Sequence, residues 1–254
     1  MALSIAILCG SIAAIAATGG AAVSISRSSG APLNLLAFGT TSKKTTVSAG
    51  YVVPTGYAAV TDVRAEWNVP QIAAACPSKQ TGSSFLIGMD GWTSSTFEEI
   101  GTATYCVGGS PSYYAWYELY PKVAAKISLT VKPADHISAE VSYGGGGFAF
   151  KLKDLTSGKS FSKSVAYSGA YRNSAEWIAY DPSSGSSTLP LTDFGWVTFT
   201  NANATIGGHT HTISGYTNYA LTMWNLAGTK VKASVGALSS GGSVFRVTWK
   251  AQGP

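Results

Sequence analysis

Residues 112–132 read SYYAWYELYPKVAAKISLTVK, and this stretch decides the class of fold. Its first part, 112–120, is rich in aromatic residues, which are enriched in β-strands. Its last part, 126–132, alternates polar and apolar residues with a period of two, as a half-buried strand does. The stretch therefore predicts two short strands.

Similar runs occur on both sides of this stretch. Asp90-Gly91 and the glycine run 144–147 are turn signals between such runs. Little of the chain shows helical spacing. Many short strands with Gly- and Ser-rich turns predict an all-β sandwich or barrel. The further predicted strands are two short runs within 51–70 and residues 84–89, 137–143, 148–152, 160–166, 176–180, 196–201, 221–224 and 243–249.

The composition is typical of an exported β protein. The 254 residues are enough for one large all-β domain or two small ones, and 45% hydrophobic residues supply a core. Charged residues make up 11%, less than half of the usual share of about 25%. The net charge of +5 is spread along the chain without a compact basic run, which argues against nucleic-acid binding.

The N-terminal sequence predicts export. Residues 1–24, MALSIAILCGSIAAIAATGGAAVS, are apolar and small, and we interpret 1–23 as a secretory signal peptide. No Lys or Arg precedes the apolar run, so an uncleaved membrane anchor is the alternative. Residues 24–49 lack a periodic pattern and fit a pro-segment or linker, which leaves 50–254 as the folded domain.

The cysteines agree with export. Cys9 lies in the removable segment, which leaves Cys76 and Cys106, and an even count in an exported protein favours one disulfide. His209 and His211 lie two apart without an evident third metal ligand. The sequence implies no cofactor and no metal.

Carboxylates are the candidate catalytic groups. They occur among aromatic or apolar neighbours in TFEEIG (96–101), WYELYP (116–121) and SAEWI (174–178), where partial desolvation raises the pKa of a carboxyl group. The adjacent Glu98 and Glu99 must face opposite sides of a sheet, and spacing alone does not say which one lines a concave face. Serine-type catalysis is disfavoured because the chain has no G-x-S-x-G motif and only three histidines.

These segments resemble the glutamic peptidases of the eqolisin family, or family G1, and most closely its prokaryotic branch. The resemblance implies an antiparallel β-sandwich of two seven-stranded sheets, similar to concanavalin A-like lectins, with a substrate groove on a concave face. It also supports a bridge between Cys76 and Cys106. The matching stretches, in the family's order, are AEWNVP (65–70), IGMDG (87–91), EEIG (98–101), YYAWYELYP (113–121), SAEWI (174–178) and FGWVTFTNANAT (194–205).

The resemblance implies roles for five residues. Glu176 matches the family's catalytic glutamate, a general base toward water and then a proton donor to the leaving amine. Glu99 falls where the family has a glutamine that stabilises the oxyanion. Asp90 and Glu118 match supporting carboxylates of the groove, and Trp67 matches an aromatic residue at its edge.

Glu99 is a departure from the family. An ionised Glu99 offers only acceptors, whereas a protonated one restores an O–H donor of nearly the same shape as Gln. Because two carboxyls that share a site raise one pKa, we expect Glu99 and Glu176 to share a proton in acid.

The sequence therefore predicts a secreted, monomeric acid endopeptidase that acts on protein or peptide substrates. Nucleic acid is not an expected partner, and no stable membrane association is expected after signal cleavage. Two alternatives stay open. One is an inactive eqolisin-like sandwich that binds peptide or cell-wall polymer. The other is a glycoside hydrolase, since paired carboxylates also suit glycosidic cleavage.

Overall fold

A computed structural model describes residues 38–73, 75–184, 187–239 and 241–253. The predicted signal peptide and residues 24–37 of the predicted pro-segment lie outside these ranges. Within them, no helix has the length and apolar character to cross a membrane. The strands are β1 (Thr40–Thr45), β2 (Ser48–Pro54), β3 (Val60–Asn68), β4 (Thr81–Asp90), β5 (Phe97–Val107), β6 (Ser110–Leu119), β7 (Ala125–Lys126), β8 (His136–Gly144), β9 (Gly147–Asp154), β10 (Ser160–Ala166), β11 (Ser174–Tyr180), β12 (Ser183–Ser184), β13 (Ser187–Thr188), β14 (Trp196–Ile206), β15 (His209–Thr212), β16 (Asn218–Trp224), β17 (Val231–Val235) and β18 (Phe245–Trp249), with a 3₁₀ turn at Ile213–Gly215.

The strands form the predicted antiparallel sandwich. Fourteen of them follow one hydrogen-bonded path, β10-β9-β8-β3-β14-β18-β17-β16-β2-β11-β4-β5-β6-β7, and β1 adds to β16 in parallel. The path folds over, so that β3, β8 and β9 pack against β4, β5 and β11. The two predicted seven-stranded sheets are thus joined into one continuous sheet. We call the half from β16 to β7 the groove layer.

Alternate residues of the strands in the groove layer belong to two different apolar clusters, one on each face. In β11, Ala175, Trp177 and Ala179 face the core between the layers. Ile178 of the same strand faces outward and joins a second cluster with Leu86 of β4. Successive side chains of a strand point to opposite faces, so the groove layer has a packed inner face and a second apolar outer face.

The folded domain begins before residue 50, which corrects the predicted boundary. β1 lies inside the segment predicted to be a pro-segment or linker, and β2 begins at Ser48. Almost every residue of β1 is exposed. An edge strand that buries neither face has no reason to alternate polar and apolar residues, and this explains why its sequence gave no strand signal.

The prediction of a strand at 126–132 is mostly wrong, but the pattern correctly indicates which of its residues are buried. Only Ala125–Lys126 form a ladder, with β6. The apolar residues Ile127, Leu129 and Val131 are nevertheless all buried in the core. The alternation therefore reflects an extended segment that packs every second side chain inward without continuing the ladder.

Candidate active site

Three glutamates lie in one line across the groove layer. Glu176 of β11 is directly opposite Gly88 of β4, Gly88 is opposite Glu99 of β5, and Glu99 is opposite Glu118 of β6. Directly opposed residues place their side chains on the same face of a sheet. The three carboxyls therefore share the outer face, and the structure shows that Glu99, not Glu98, is the groove residue.

Two glycines keep the space around the carboxyls open. A Cβ atom at Gly88 would lie 2.7 Å from Cγ of Glu99 and 2.8 Å from the carbonyl oxygen of Glu98. Gly91, with φ of +98°, would place a Cβ atom 3.4 Å from Oε1 of Glu176. A side chain at position 88 would displace Glu99, so the gap between the two carboxyls requires glycine.

The carboxyls open into a groove with a volume of about 680 Å³. Its floor is the outer apolar cluster, and tyrosines form one end. Tyr105 and Tyr114 stack with ring centroids 5.7 Å apart, and Nζ of Lys126 lies 5.0 Å from the Tyr114 centroid. The main lining residues are Ser84, Leu86, Gly91, Phe97, Glu99, Ala103, Tyr105, Tyr114, Trp116, Glu118, Lys126, Glu176, Ile178, Tyr180 and Pro182.

Burial raises the pKa of all three carboxyls, because it disfavours the charged form. For Glu176 the pKa lies well above its ordinary value, first through burial and then through Glu99. Burial and, second, Glu118 raise the pKa of Glu99 to about 8. Burial raises the pKa of Glu118 as well. The groove therefore keeps protons on carboxyls at pH values where exposed carboxyls are ionised.

Hydrogen bonds distinguish Glu176 from Glu99. The hydroxyl of Ser174 donates a hydrogen bond to Oε1 of Glu176 at 3.0 Å, and the backbone of Trp92 also favours the ionised form of Glu176. Among the contacts of the described residues, Glu99 has no such donor. These contacts favour the ionised form of Glu176, but they act against burial and the charge of Glu99, which raise the pKa of Glu176.

Asp90 supports the site from behind, not from within the groove as predicted. It is completely buried, and its carboxylate accepts hydrogen bonds from the backbone N–H groups of Arg172 and Asn173, each at 2.7 Å. The hydroxyl of Thr96 donates a third at 2.9 Å. Asp90 thus fixes the segment that leads into β11, the strand that carries Glu176.

Trp67 is a core residue, so its predicted place at the groove edge is wrong. It lies on β3, in the layer opposite the groove, and is 1% exposed. Its indole N–H donates a hydrogen bond to the hydroxyl of Thr102 at 3.0 Å, and its ring centroid lies 5.6 Å from that of Phe199. Trp67 braces the back of β5 instead of contacting the groove.

Glu98 is a buried carboxyl on the inner face of β5. It is completely buried, and in its protonated form it donates a hydrogen bond to the carboxylate of Asp90. Burial, followed by the nearby Asp90, raises the pKa of Glu98 to about 9. The side chain is therefore neutral over most of the pH range in which proteins are studied.

Three residues that the sequence did not single out complete the site: Gly88, Ser174 and Lys126. Ser174 had a usable signal, because residues two apart on a strand share a face and Glu176 follows at that spacing. Gly88 and Lys126 gave no comparable signal. They join the site only through the pairing of β4 with β5 and of β7 with β6.

The predicted disulfide between Cys76 and Cys106 is present. Cys106 lies near the end of β5, the strand that carries Glu99. Cys76 lies in the segment between β3 and β4. The bridge therefore ties the approach to β4 to the neighbouring strand of the groove layer.

Fold and site together define a β-sandwich with a carboxyl-lined groove, the architecture expected for an eqolisin peptidase. Residues 46–245 match the family model described as the Peptidase A4 family, which is well over half of the chain. The chain belongs to this family. Aspergillopepsin-2 of Aspergillus niger is 39% identical over 141 residues, which cover 52% of this chain and 49% of that protein. The match thus spans about half the length of this relative.

Solved structures confirm the fold. A scytalido-glutamic peptidase with a transition state analog inhibitor is similar with a TM-score of 0.70 and 21% identity, over 81% of this chain and 98% of that chain. SCP-B, a member of the eqolisin family in complex with the tripeptide Ala-Ile-His, gives a TM-score of 0.66 and 20% identity over the same shares. The aspergilloglutamic peptidase from Aspergillus niger gives 0.59 and 31% identity, over 67% of this chain and 99% of that chain.

Proposed function

We propose that this chain is a secreted glutamic endopeptidase in which ionised Glu176 activates water and protonated Glu99 stabilises the oxyanion. One observation carries the proposal: the two carboxyls face one groove across Gly88, and Ser174 donates a hydrogen bond to Glu176. Membership of a peptidase family supports peptide hydrolysis. The disulfide supports export, because such bonds persist in oxidising compartments.

The two carboxyls have complementary tasks. Glu176 accepts a proton from water while the water oxygen attacks the scissile carbonyl carbon, and Glu99 donates its O–H to the oxyanion that forms. Glu176 then gives the proton to the amide nitrogen as the C–N bond breaks, which yields an acid and an amine. Loss of one oxyanion donor typically lowers the rate by a factor of about 100 to 1,000.

A shared proton gives a bell-shaped dependence of activity on pH. At low pH both carboxyls are protonated and no base is present; at high pH both are ionised and Glu99 repels the oxyanion. Because burial raises both pKa values, the active range lies above that expected for exposed carboxyls, whose pKa is about 4. With a pKa of about 8 for Glu99, we expect the alkaline limit of activity near that pH.

The test is cleavage of a denatured protein between about pH 2 and 9 by the wild type, Glu176→Gln and Glu99→Gln. We expect Glu176→Gln to lose activity at every pH. Glu99→Gln should stay active to higher pH than the wild type, because an amide donates at any pH. Glu66→Gln, in the opposite layer, is the control. Wild-type activity that persists undiminished at the alkaline end would refute the shared proton.

A groove that binds peptide without cleaving it is the second candidate, because Glu99 replaces the amide that the resemblance implies. The same experiment separates the two functions. No cleavage by the wild type together with cleavage by Glu99→Gln would show that the groove is intact and that its catalysis has been lost. Family membership disfavours the glycoside hydrolase.

A further inference from the structure

We propose that the groove selects substrates with an acidic side chain two to four residues from the scissile bond, and that Lys126 recognises its carboxylate. This inference rests on the proposed function. Lys126 lines the groove, and its Nζ lies 5.0 Å from the centroid of the Tyr114 ring. Among the described residues, no carboxylate oxygen lies within ion-pair distance of this ammonium group. The ammonium group thus lies over an aromatic ring of the groove and has no carboxylate partner among the described residues.

The sheet register gives the position of this subsite. Lys126 is opposite Trp116, and the catalytic line crosses β6 at Glu118, two residues further along. Two residues of a strand span about 7 Å, and a substrate in extended form advances about 3.4 Å per residue. The lysine side chain leans toward Tyr114, two residues beyond Trp116. The carboxylate is therefore recognised two to four residues from the scissile bond.

The surroundings of Lys126 are suited to an anion. The groove lining includes Tyr105, Tyr114 and Tyr180, and the side chains of Tyr105 and Tyr114 are hydrogen-bonded to each other. Burial raises the pKa of Tyr105 and of Tyr180, so both stay neutral O–H donors at working pH. The net charge of +5 also attracts acidic chains. The acidic groups of the groove, Glu99, Glu118 and Glu176, lie on the catalytic line, which crosses β6 two residues from the position opposite Lys126.

The experiment uses quenched fluorescent peptides with acetylated and amidated ends, in which Glu is moved from position to position around a fixed scissile bond. Each peptide has a matched peptide with Gln at the same position. The measured quantity is the ratio of kcat/KM for Glu over Gln, at pH 6 and at pH 3, for the wild type, Lys126→Met and Lys122→Met. Lys122 is the control, because it lies in the connection that leads into β7 and is exposed but does not line the groove.

At pH 6 we expect a ratio of about three to five at one or two adjacent positions on one side of the bond, the upper part of the range for an exposed ion pair. Lys126→Met should bring this ratio close to one, and Lys122→Met should not change it. At pH 3 the ratio should fall to one in the wild type, because the substrate Glu is then protonated. A second peptide set with a free C-terminal carboxylate shows whether a chain terminus satisfies the same subsite.

Equal kcat/KM for Glu and Gln peptides at every position would overturn the inference, as would a ratio that survives Lys126→Met. If no peptide is cleaved, the proposed function fails and the subsite is judged by binding alone. Fluorescence anisotropy of the same peptides must then show that the Glu peptide binds more tightly than the Gln peptide, and that Lys126→Met removes this difference. Equal affinities of the two peptides for the wild type would refute the inference.

Discussion

Replacing Glu98 with Gln measures how strongly one buried carboxyl controls the stability of this fold. In the folded chain Glu98 has a pKa of about 9, against an ordinary value of 4.5. Between these two pH values the folded state holds a proton that the unfolded state has released, so the free energy of unfolding falls as pH rises. Below pH 4.5 the effect is absent, and above pH 9 it is complete.

The size of the effect follows from the two pKa values. Each unit of pH within this range lowers the free energy of unfolding by 1.36 kcal/mol, so at pH 7 the loss is about 3 kcal/mol relative to pH 4. Gln has nearly the same shape as a protonated Glu and does not titrate. At pH 7 we therefore expect Glu98→Gln to be more stable than the wild type by about 3 kcal/mol, or about 6–12 °C in Tm.

Urea unfolding of both proteins at pH 4, 7 and 9 provides the measurement. The difference should be small at pH 4 and should grow at pH 7 and again at pH 9. Glu66→Gln serves as the control, since Glu66 is a partly exposed carboxylate in the opposite layer and pairs with His136. Parallel stability profiles for Glu98→Gln and the wild type would refute the reasoning.

Three further outcomes test the packing around the groove. Gly88→Ala should abolish most peptidase activity, because its Cβ would lie 2.7 Å from Cγ of Glu99. Gly144→Ala is the control and should match the wild type in the same assay, because a Cβ there would meet nothing within 4 Å. Trp67→Phe should lower the free energy of unfolding in urea by about 1–3 kcal/mol but leave kcat/KM unchanged, and a change in kcat/KM would restore a groove role for this residue. Reduction of the disulfide should lower the free energy of unfolding by about 3–4 kcal/mol, measured with and without dithiothreitol, and equal values would exclude a stabilising role.

The sequence predicts the fold where burial alternates and fails where it does not. Residues 137–143 show the success, because this predicted strand lies within β8, whose residues alternate between buried and partly buried positions. β1 shows the failure, since its almost fully exposed residues need no alternation. Residues 127–132 show the converse, because Ile127 and its alternate neighbours pack into the core without a partner strand. Periodicity reports burial and not hydrogen bonding.

The site is less predictable, because it depends on register. Short motifs located Glu99, Glu118 and Glu176. The line that they form follows from pairing across four strands, because β11 pairs with β4, which is distant from it in the chain. Motifs could not place Asp90 behind the groove or Trp67 in the opposite layer. Both positions are set by how the two layers pack, which no local pattern encodes.

Ionisation of either of the adjacent residues Glu98 and Glu99 is a separate cause of lost activity at high pH. Ionisation of Glu99 removes a donor from the groove, and ionisation of Glu98 places a charge in the core. Near pH 8 the second effect lowers the free energy of unfolding by about 5 kcal/mol, the lower end of the 5–15 kcal/mol typical of folded proteins. A chain whose free energy of unfolding exceeds this loss is still folded when Glu99 ionises near pH 8, and in that case the groove sets the alkaline limit.

If the groove sets the alkaline limit, Glu98→Gln and Glu99→Gln should affect that limit differently. Glu98→Gln alone should leave the alkaline limit of activity where it is, whereas Glu99→Gln should extend it until the fold itself fails. Near pH 9 the core effect reaches about 6 kcal/mol, comparable to the whole stability of many proteins. The double variant should therefore stay active at a higher pH than Glu99→Gln alone. A limit that shifts in Glu98→Gln alone would instead show that unfolding, and not the titration of Glu99, ends activity.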